Sequence, residues 1–217
     1  MNEILNLYNA SFQLGVFPTS WKQGRIIPIL KPGKDPSSVE SYRPITLLPC
    51  LGKLLERIIN TRLEYITEKE KFLKRFQTGF RKGHGTTDVL AGVENIVRES
   101  LATRKLALVI YIDLKSAYDK VSPRGLLYKL SLLGIRGNLM RWLRSYLTGR
   151  CVRAVVNGQE SDAENMPAGL PQGAVLSPLL FNLMLSDIPE QQGIKLFIYA
   201  DDITIVYSHE DSKIAKN

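Results

Sequence analysis

Leu54, Leu55, Ile58, Ile59, Leu63 and Ile66 recur every three or four positions, with Glu56, Arg57, Asn60 and Arg62 between them. This spacing predicts an amphipathic helix over residues 51 to 67, its polar set on the opposite face. A second helix is expected to begin near Thr87, with Asp88 in its first turn and Val89, Val93, Ile96, Val97 and Leu101 inward. The apolar run LALVIYI follows, rich in β-formers and ending on Asp113. Such a run reads as a strand covered on both faces, which puts the carboxylate at a strand end.

Ser122-Pro123 marks a helix start, Leu126, Leu127 and Leu130 its buried stripe, and Gly134 its stop. Residues from Asn138 to Gly149 repeat the scheme around Leu139, Trp142, Leu143 and Tyr146. Cys151 to Gln159 reads as a strand entering an Asn157-Gly158 hairpin turn, and Ser177-Pro178 opens a helix containing Leu179, Leu180, Leu183 and Met184. In IKLFIYADDITIVY, apolar residues flank a two-aspartate centre, the pattern of a hairpin with Asp201 and Asp202 at its turn.

Five of the eleven prolines fall between Pro28 and Pro49, which excludes a long helix there. Ile26, Ile27 and Ile29 are expected to form one arm of a hairpin tipped by the basic KPGK. Strands mixed with helix pairs argue for an α+β fold, with helices over one face of a mostly antiparallel sheet.

The composition is that of a globular chain, 44% hydrophobic and 23% charged. No apolar run approaches the roughly 20 residues of a membrane span. The N-terminus lacks the pattern of a signal peptide, and two cysteines, Cys50 and Cys151, do not make a secreted framework. An intracellular chain is expected, with nucleus and cytoplasm not distinguished. The net charge of +8 attracts polyanions. Basic residues crowd two zones, Lys69 to His84 and Arg136 to Arg153, on either side of Asp113 in sequence.

Adjacent aspartates on an apolar hairpin repel each other and lose solvation unless a cation intervenes. Magnesium suits two or three carboxylates from strand ends, because it keeps waters and substrate phosphates in its shell. Asp113 would be the third carboxylate. Seen alone, an Asp-Asp pair is more often a solvated turn; its meaning depends on the motifs around it.

Those motifs occur as an ordered set: WKQGRIIPILKPGKDP, SYRPITLLPCLGKLLERII, QTGFRKGHGTTDVL, DLKSAYDKV, GLPQGAVLSPLLFNLML and YADD. Together they resemble a reverse transcriptase, more narrowly one from a non-LTR (LINE-type) retrotransposon, from about Trp21 to Tyr207. The resemblance implies the fingers and palm of a right-hand polymerase, with fingers at about 1–105 and 123–160 and palm at about 106–122 and 161–217. It implies RNA-directed DNA polymerase activity by two-metal nucleotidyl transfer, with Asp113, Asp201 and Asp202 as catalytic carboxylates holding two magnesium ions, for which manganese can substitute. Its partners would be an RNA template, a DNA primer and dNTPs, without a membrane.

By the same resemblance, Tyr118 occupies the steric-gate position that rejects a ribose 2′-hydroxyl. Gln172 and Gly173 match the loop lining the incoming-nucleotide pocket. Lys31 and Arg43 match finger residues that grip the triphosphate, and Arg81 a template or phosphate contact. Asp119 has two readings, as a residue just behind the metal site or as the capper of the following helix. The chain stops before the family's later palm motifs and thumb and shows no endonuclease or zinc knuckle, so missing regions of a larger polyprotein are expected. Alternative readings are a catalytically idle fragment retaining RNA binding, and a group II intron-type reverse transcriptase.

Overall fold

A computed structural model describes residues 2–210 of the chain. The backbone divides into two compact units, each built from two chain segments: Met1–Ile66 with Tyr118–Leu180, and Thr67–Ala117 with Phe181–Asn217.

The first unit contains helix α1 (Asn2–Leu14), strands β1 (Gln23–Leu30) and β2 (Tyr42–Leu47), and most of helix α2 (Cys50–Lys69). After Tyr118 it adds helices α4 (Pro123–Leu132) and α5 (Gly137–Leu147), strands β4 (Arg150–Val156), β5 (Gln159–Glu160) and β6 (Glu164–Met166), and the start of α6 (Ser177–Met184). The β1–β2 hairpin forms as expected, Ile27 opposite Ile45, and β1 pairs in parallel with β4. The sheet order is β2-β1-β4-β5, with β6 also on β4. Asn157 and Gly158 both take positive φ, 51° and 78°, as a two-residue hairpin turn matching strand twist requires.

The core of this unit is aromatic. Phe17 meets Trp142 and Tyr146 edge-on at 5.3 and 5.2 Å, and Trp142 stacks on Tyr146 at 5.5 Å. The indole N–H of Trp142, otherwise stranded in an apolar interior, donates to Ser11 Oγ at 3.1 Å.

Helix α2 departs from its sequence pattern. Leu55, Ile59 and Leu63 are buried, but Leu54 and Ile58 are exposed, and Glu56, assigned to the polar face, is only 1% accessible. The helix presents a narrower stripe than its apolar residues suggested. Glu56 lies inside that stripe because donors await it: Oε2 accepts from the N–H of Val175 at 2.7 Å and of Leu176 at 3.3 Å, and from Tyr146 Oη at 3.3 Å. Burial pushes its carboxyl above the usual range, against the opposing pull of those two backbone N–H groups and the Arg150 guanidinium.

The second unit carries helix α3 (Thr86–Ala102) and strands β3 (Leu106–Asp113), β7 (Ile194–Tyr199) and β8 (Asp202–His209). The three strands form a wholly antiparallel sheet in the order β3-β8-β7. Helix α3 lies on one face of it: Gly92 comes against the ring of Phe197, and Ser100 Oγ donates to Ser208 Oγ at 2.8 Å. Here too the pattern misled at the helix end, where Leu101 is exposed and Ser100 takes the inward position.

The expectation that β3 is covered on both faces fails. Tyr111 is 75% exposed, and Leu106, Ile110 and Ile112, which alternate onto the face away from α3, are also exposed. β3 is an edge strand of this sheet, against which α3 packs.

Candidate active site

In the second unit the β7–β8 hairpin turns through Ala200 and Asp201, with Tyr199 paired to Asp202. Ala200 takes φ +57°, the positive value a tight hairpin turn demands and one that normally falls to glycine or asparagine. β3 runs antiparallel to β8 in continuous register from Leu106 opposite His209 to Asp113 opposite Asp202. Residues directly opposite in such a ladder share a face, so the Asp113 and Asp202 side chains leave the sheet on the same side. The ladder continues one step further: the N–H of Leu114 donates to the Asp201 carbonyl at 3.3 Å. Asp113, 88 residues upstream of Asp201, is thus brought beside the aspartate pair. Asp113 and Asp202 are exposed and Asp201 half-buried.

A buried polar brace holds this hairpin from its outer edge. Ile198 accepts from the N–H of Thr78 at 2.9 Å and donates to the Phe76 carbonyl at 2.7 Å. Gln77, fully buried, donates through Nε2 to the Asn182 carbonyl, and Asn182 returns a bond from Nδ2 to the Gly79 carbonyl, at 2.9 and 2.7 Å. Gly79 lies so close to the turn that a Cβ there would stand 2.3 Å from the Ala200 nitrogen. The glutamine and glycine of QTGF are therefore supports of the aspartate hairpin. Nothing in their local sequence revealed this, since their partners lie more than 100 residues away.

Arg81 belongs to the same unit. Its guanidinium forks onto Glu68, with Nε to Oε1 at 2.9 Å and Nη2 to Oε2 at 2.7 Å, while Nη1 donates to the carbonyls of Lys74 and Gln77. The arginine holds the Glu68 carboxyl below its usual range. Its donors are directed at protein acceptors and tie the 68–81 segment into one piece.

The first unit holds the residues matched to the nucleotide pocket. Lys31 follows β1; its Nζ donates to the Glu40 carbonyl at 2.9 Å, and Arg43 is exposed on β2 opposite Ile29. The segment after Tyr118 is zipped to the LPQG loop: Leu170 N–H donates to the Tyr118 carbonyl and Gly169 N–H to the Val121 carbonyl, both at 2.8 Å. Thr46 N–H donates to the Gln172 carbonyl at 2.7 Å, docking the loop on β2. Gly173 has φ +123°, and a Cβ there would sit 2.6 Å from the Thr46 carbonyl oxygen. Only glycine meets both demands.

Of the two readings of Asp119, the helix-capping one falls to another residue: Ser122 Oγ accepts from the Gly125 N–H at 3.2 Å, with Pro123 at the first helical position. Asp119 Oδ1 instead accepts from Gln172 Nε2 at 3.1 Å.

A metal ion can be tested against these groups. Among the described residues, no group of three or more His, Cys, Asp or Glu side chains is placed so as to hold a metal ion by itself. The exposed carboxylates Asp113 and Asp202, facing one way beside Asp201, are the open, oxygen-only donor set that suits magnesium, which is commonly held by one or two carboxylates together with substrate phosphates. The donor chemistry of Asp113 and Asp202 fits the ion, with the remaining ligands left to water and substrate.

Among solved structures, telomerases share this fold. Over 99% of its length the chain superimposes on telomerase from Candida tropicalis in complex with a TWJ fragment of telomeric RNA, covering 41% of that chain with a TM-score of 0.64 at 14% identity. Telomerase from Candida albicans gives 0.59 over 97% of the chain and 41% of its own, at 15% identity. The likeness is one of fold, the α+β arrangement of fingers and palm.

The model of the family described as reverse transcriptase (RNA-dependent DNA polymerase) matches residues 29–216, and the chain belongs to that family. Its relatives are enzymes of LINE-type, non-LTR elements. The RNA-directed DNA polymerase from mobile element jockey of Drosophila melanogaster is 36% identical over 208 residues, and the probable RNA-directed DNA polymerase from transposon BS of the same fly 36% over 210. These alignments cover 92% and 93% of the chain but 23% of each relative, so the chain spans about a quarter of their length.

Proposed function

We propose that the chain is the catalytic segment of an RNA-directed DNA polymerase that extends a DNA primer with dNTPs on an RNA template during retrotransposon replication. The observation that carries this reading is the β3–β8 register, which aligns Asp113 with Asp202 beside the Asp201 turn. Asp113, Asp201 and Asp202 would hold two magnesium ions. When bound, these would activate the primer 3′-hydroxyl for attack on the α-phosphorus and stabilise the departing pyrophosphate.

The chain's own residues take the remaining work. Arg43 grips triphosphate oxygens as a fork and Lys31 as a point charge. Gln172 contacts the incoming nucleotide, Gly173 allows the loop its close turn, and the Tyr118 ring excludes a ribose 2′-hydroxyl. Arg81 supports the template path by fixing its own segment. The fingers correspond to about 1–105 and 123–160, and the palm to about 106–122 and 161–217. The basic zones favour nucleic-acid backbone, whose counterions they displace.

The test is primer extension on an RNA template with dNTPs and magnesium, comparing the chain with Asp201→Asn. The variant is expected to lose incorporation while retaining RNA binding, because it removes charge at the metal site alone. Equal extension by both proteins would refute the assignment.

A further inference from the structure

Gln172 has three rotatable side-chain bonds, and a flexible amide in a nucleotide pocket loses entropy each time it is ordered by substrate. Its backbone is already fixed, the carbonyl by Thr46 N–H at 2.7 Å and the next residue by the tight Gly173–Thr46 approach. Asp119 is fixed as well. The bonds from Leu170 to Tyr118 and from Gly169 to Val121 bracket it, and Gly169 packs so closely that a Cβ would lie 2.9 Å from the Asp119 carbonyl oxygen and 3.0 Å from its Cα. Two clamped backbones therefore hold the Asp119 carboxylate and the Gln172 amide at hydrogen-bonding distance, 3.1 Å, across 53 residues of sequence.

A carboxylate can only accept, so this bond also decides which end of the amide faces where. The Gln172 NH2 turns toward Asp119, leaving its oxygen and its second N–H for a ligand. We propose that Asp119 is a positioning residue for nucleotide capture: it presets the rotamer and flip of Gln172, so that the incoming dNTP meets an ordered amide. The inference rests on the reading of Gln172 as a nucleotide contact.

The experiment is steady-state primer extension by the full chain on an RNA template, with KM for dNTP and kcat measured separately for Asp119→Ala, Asp119→Asn, Gln172→Ala and the double alanine variant. Loss of a hydrogen bond to a charged group predicts a rise in KM of about tenfold for Asp119→Ala, with a smaller change in kcat. Asn can still accept through its amide oxygen and should restore most of the loss. In the Gln172→Ala background, Asp119→Ala should add nothing, whereas a merely structural role would persist there and lower Tm.

If Gln172→Ala raises KM and Asp119→Ala does not, the positioning role is overturned while the nucleotide contact stands. If Gln172→Ala itself leaves KM unchanged, the contact is what fails. Independently of turnover, the Gln172 side-chain amide resonances in a nitrogen-15 spectrum should shift in Asp119→Ala; unmoved resonances overturn the tether.

Discussion

Gly79→Ala adds one methyl group beside the β7–β8 hairpin that carries Asp201 and Asp202. The backbone of Gly79 is not in the left-handed region, so alanine meets no conformational penalty and the whole effect is one of space. The new Cβ would lie 2.3 Å from the Ala200 nitrogen and 3.0 Å from the Tyr199 carbonyl carbon. All three of its nearest neighbours are backbone atoms, so no side chain can swing away. Ordinary contact begins near 3.4 Å, and restoring it requires a displacement on the order of 1 Å. Either the 76–79 brace lifts from β7, breaking the bonds to Ile198, or the Ala200–Asp201 turn moves and carries the Asp201 carboxylate with it.

Overpacking of this kind costs roughly 1–3 kcal/mol, a loss of several degrees in Tm for a chain of this size. A reacting group misplaced by about 1 Å loses about 100-fold in rate. The assay is kcat for magnesium-dependent primer extension beside the thermal transition of the same sample. A folded Gly79→Ala protein with a rate near 1% of the parent fits the reasoning; one that extends primers at the parental rate refutes the claim that this contact sets the position of Asp201.

Two further outcomes are expected. Gly92→Ala drives a methyl to 2.4 Å from Cε1 of the Phe197 ring, so either the ring turns out of its packed rotamer or α3 rises from the sheet; Tm should fall by a few degrees after the gain of about 1 kcal/mol in helix propensity is deducted, and an unchanged Tm would contradict the packing. Glu56 has a raised pKa in the folded state, so the folded chain binds its proton more tightly than the unfolded one. Its contribution to stability therefore declines as pH rises from the ordinary glutamate range through the folded value and is flat above it. Calorimetric Tm across that window should show this slope in the parent and lose it in Glu56→Gln; parallel curves would exclude Glu56 as its source.

Sequence made the elements visible wherever one face met one environment. The Asn157-Gly158 turn and the Ser122-Pro123 helix start form as their residues dictate, because their signals are local, whereas the YADD hairpin forms with its turn at Ala200 and Asp201, and with Asp202 already in β8. It failed where a partner lies far along the chain. Glu56 reads as surface until the N–H groups of Val175 and Leu176 arrive from about 120 residues away, and the tie between Asp119 and Gln172 depends on two loops meeting. LALVIYI misled for a different reason: an apolar run specifies a strand but says nothing about how many layers cover it. The carboxylates were legible individually, whereas their shared face became clear only from the register of β3 on β8.

That same strand shapes the behaviour of the chain in concentrated solution. Among the described residues β3 has no strand on its outer edge, and its backbone donors and acceptors lie next to exposed Leu106, Ile110 and Ile112, within a stretch of high β-propensity that carries no charge before Asp113. An edge of this kind templates strand addition by another copy, and nothing in LALVIYI supplies the lysine or proline with which sheet proteins usually blunt it. Colloidal solubility therefore rests on long-range repulsion from the +8 net charge, which salt screens within about 10 Å at 0.1 M. High ionic strength, which weakens nonspecific nucleic-acid contacts during purification, at the same time removes the barrier that keeps these edges apart.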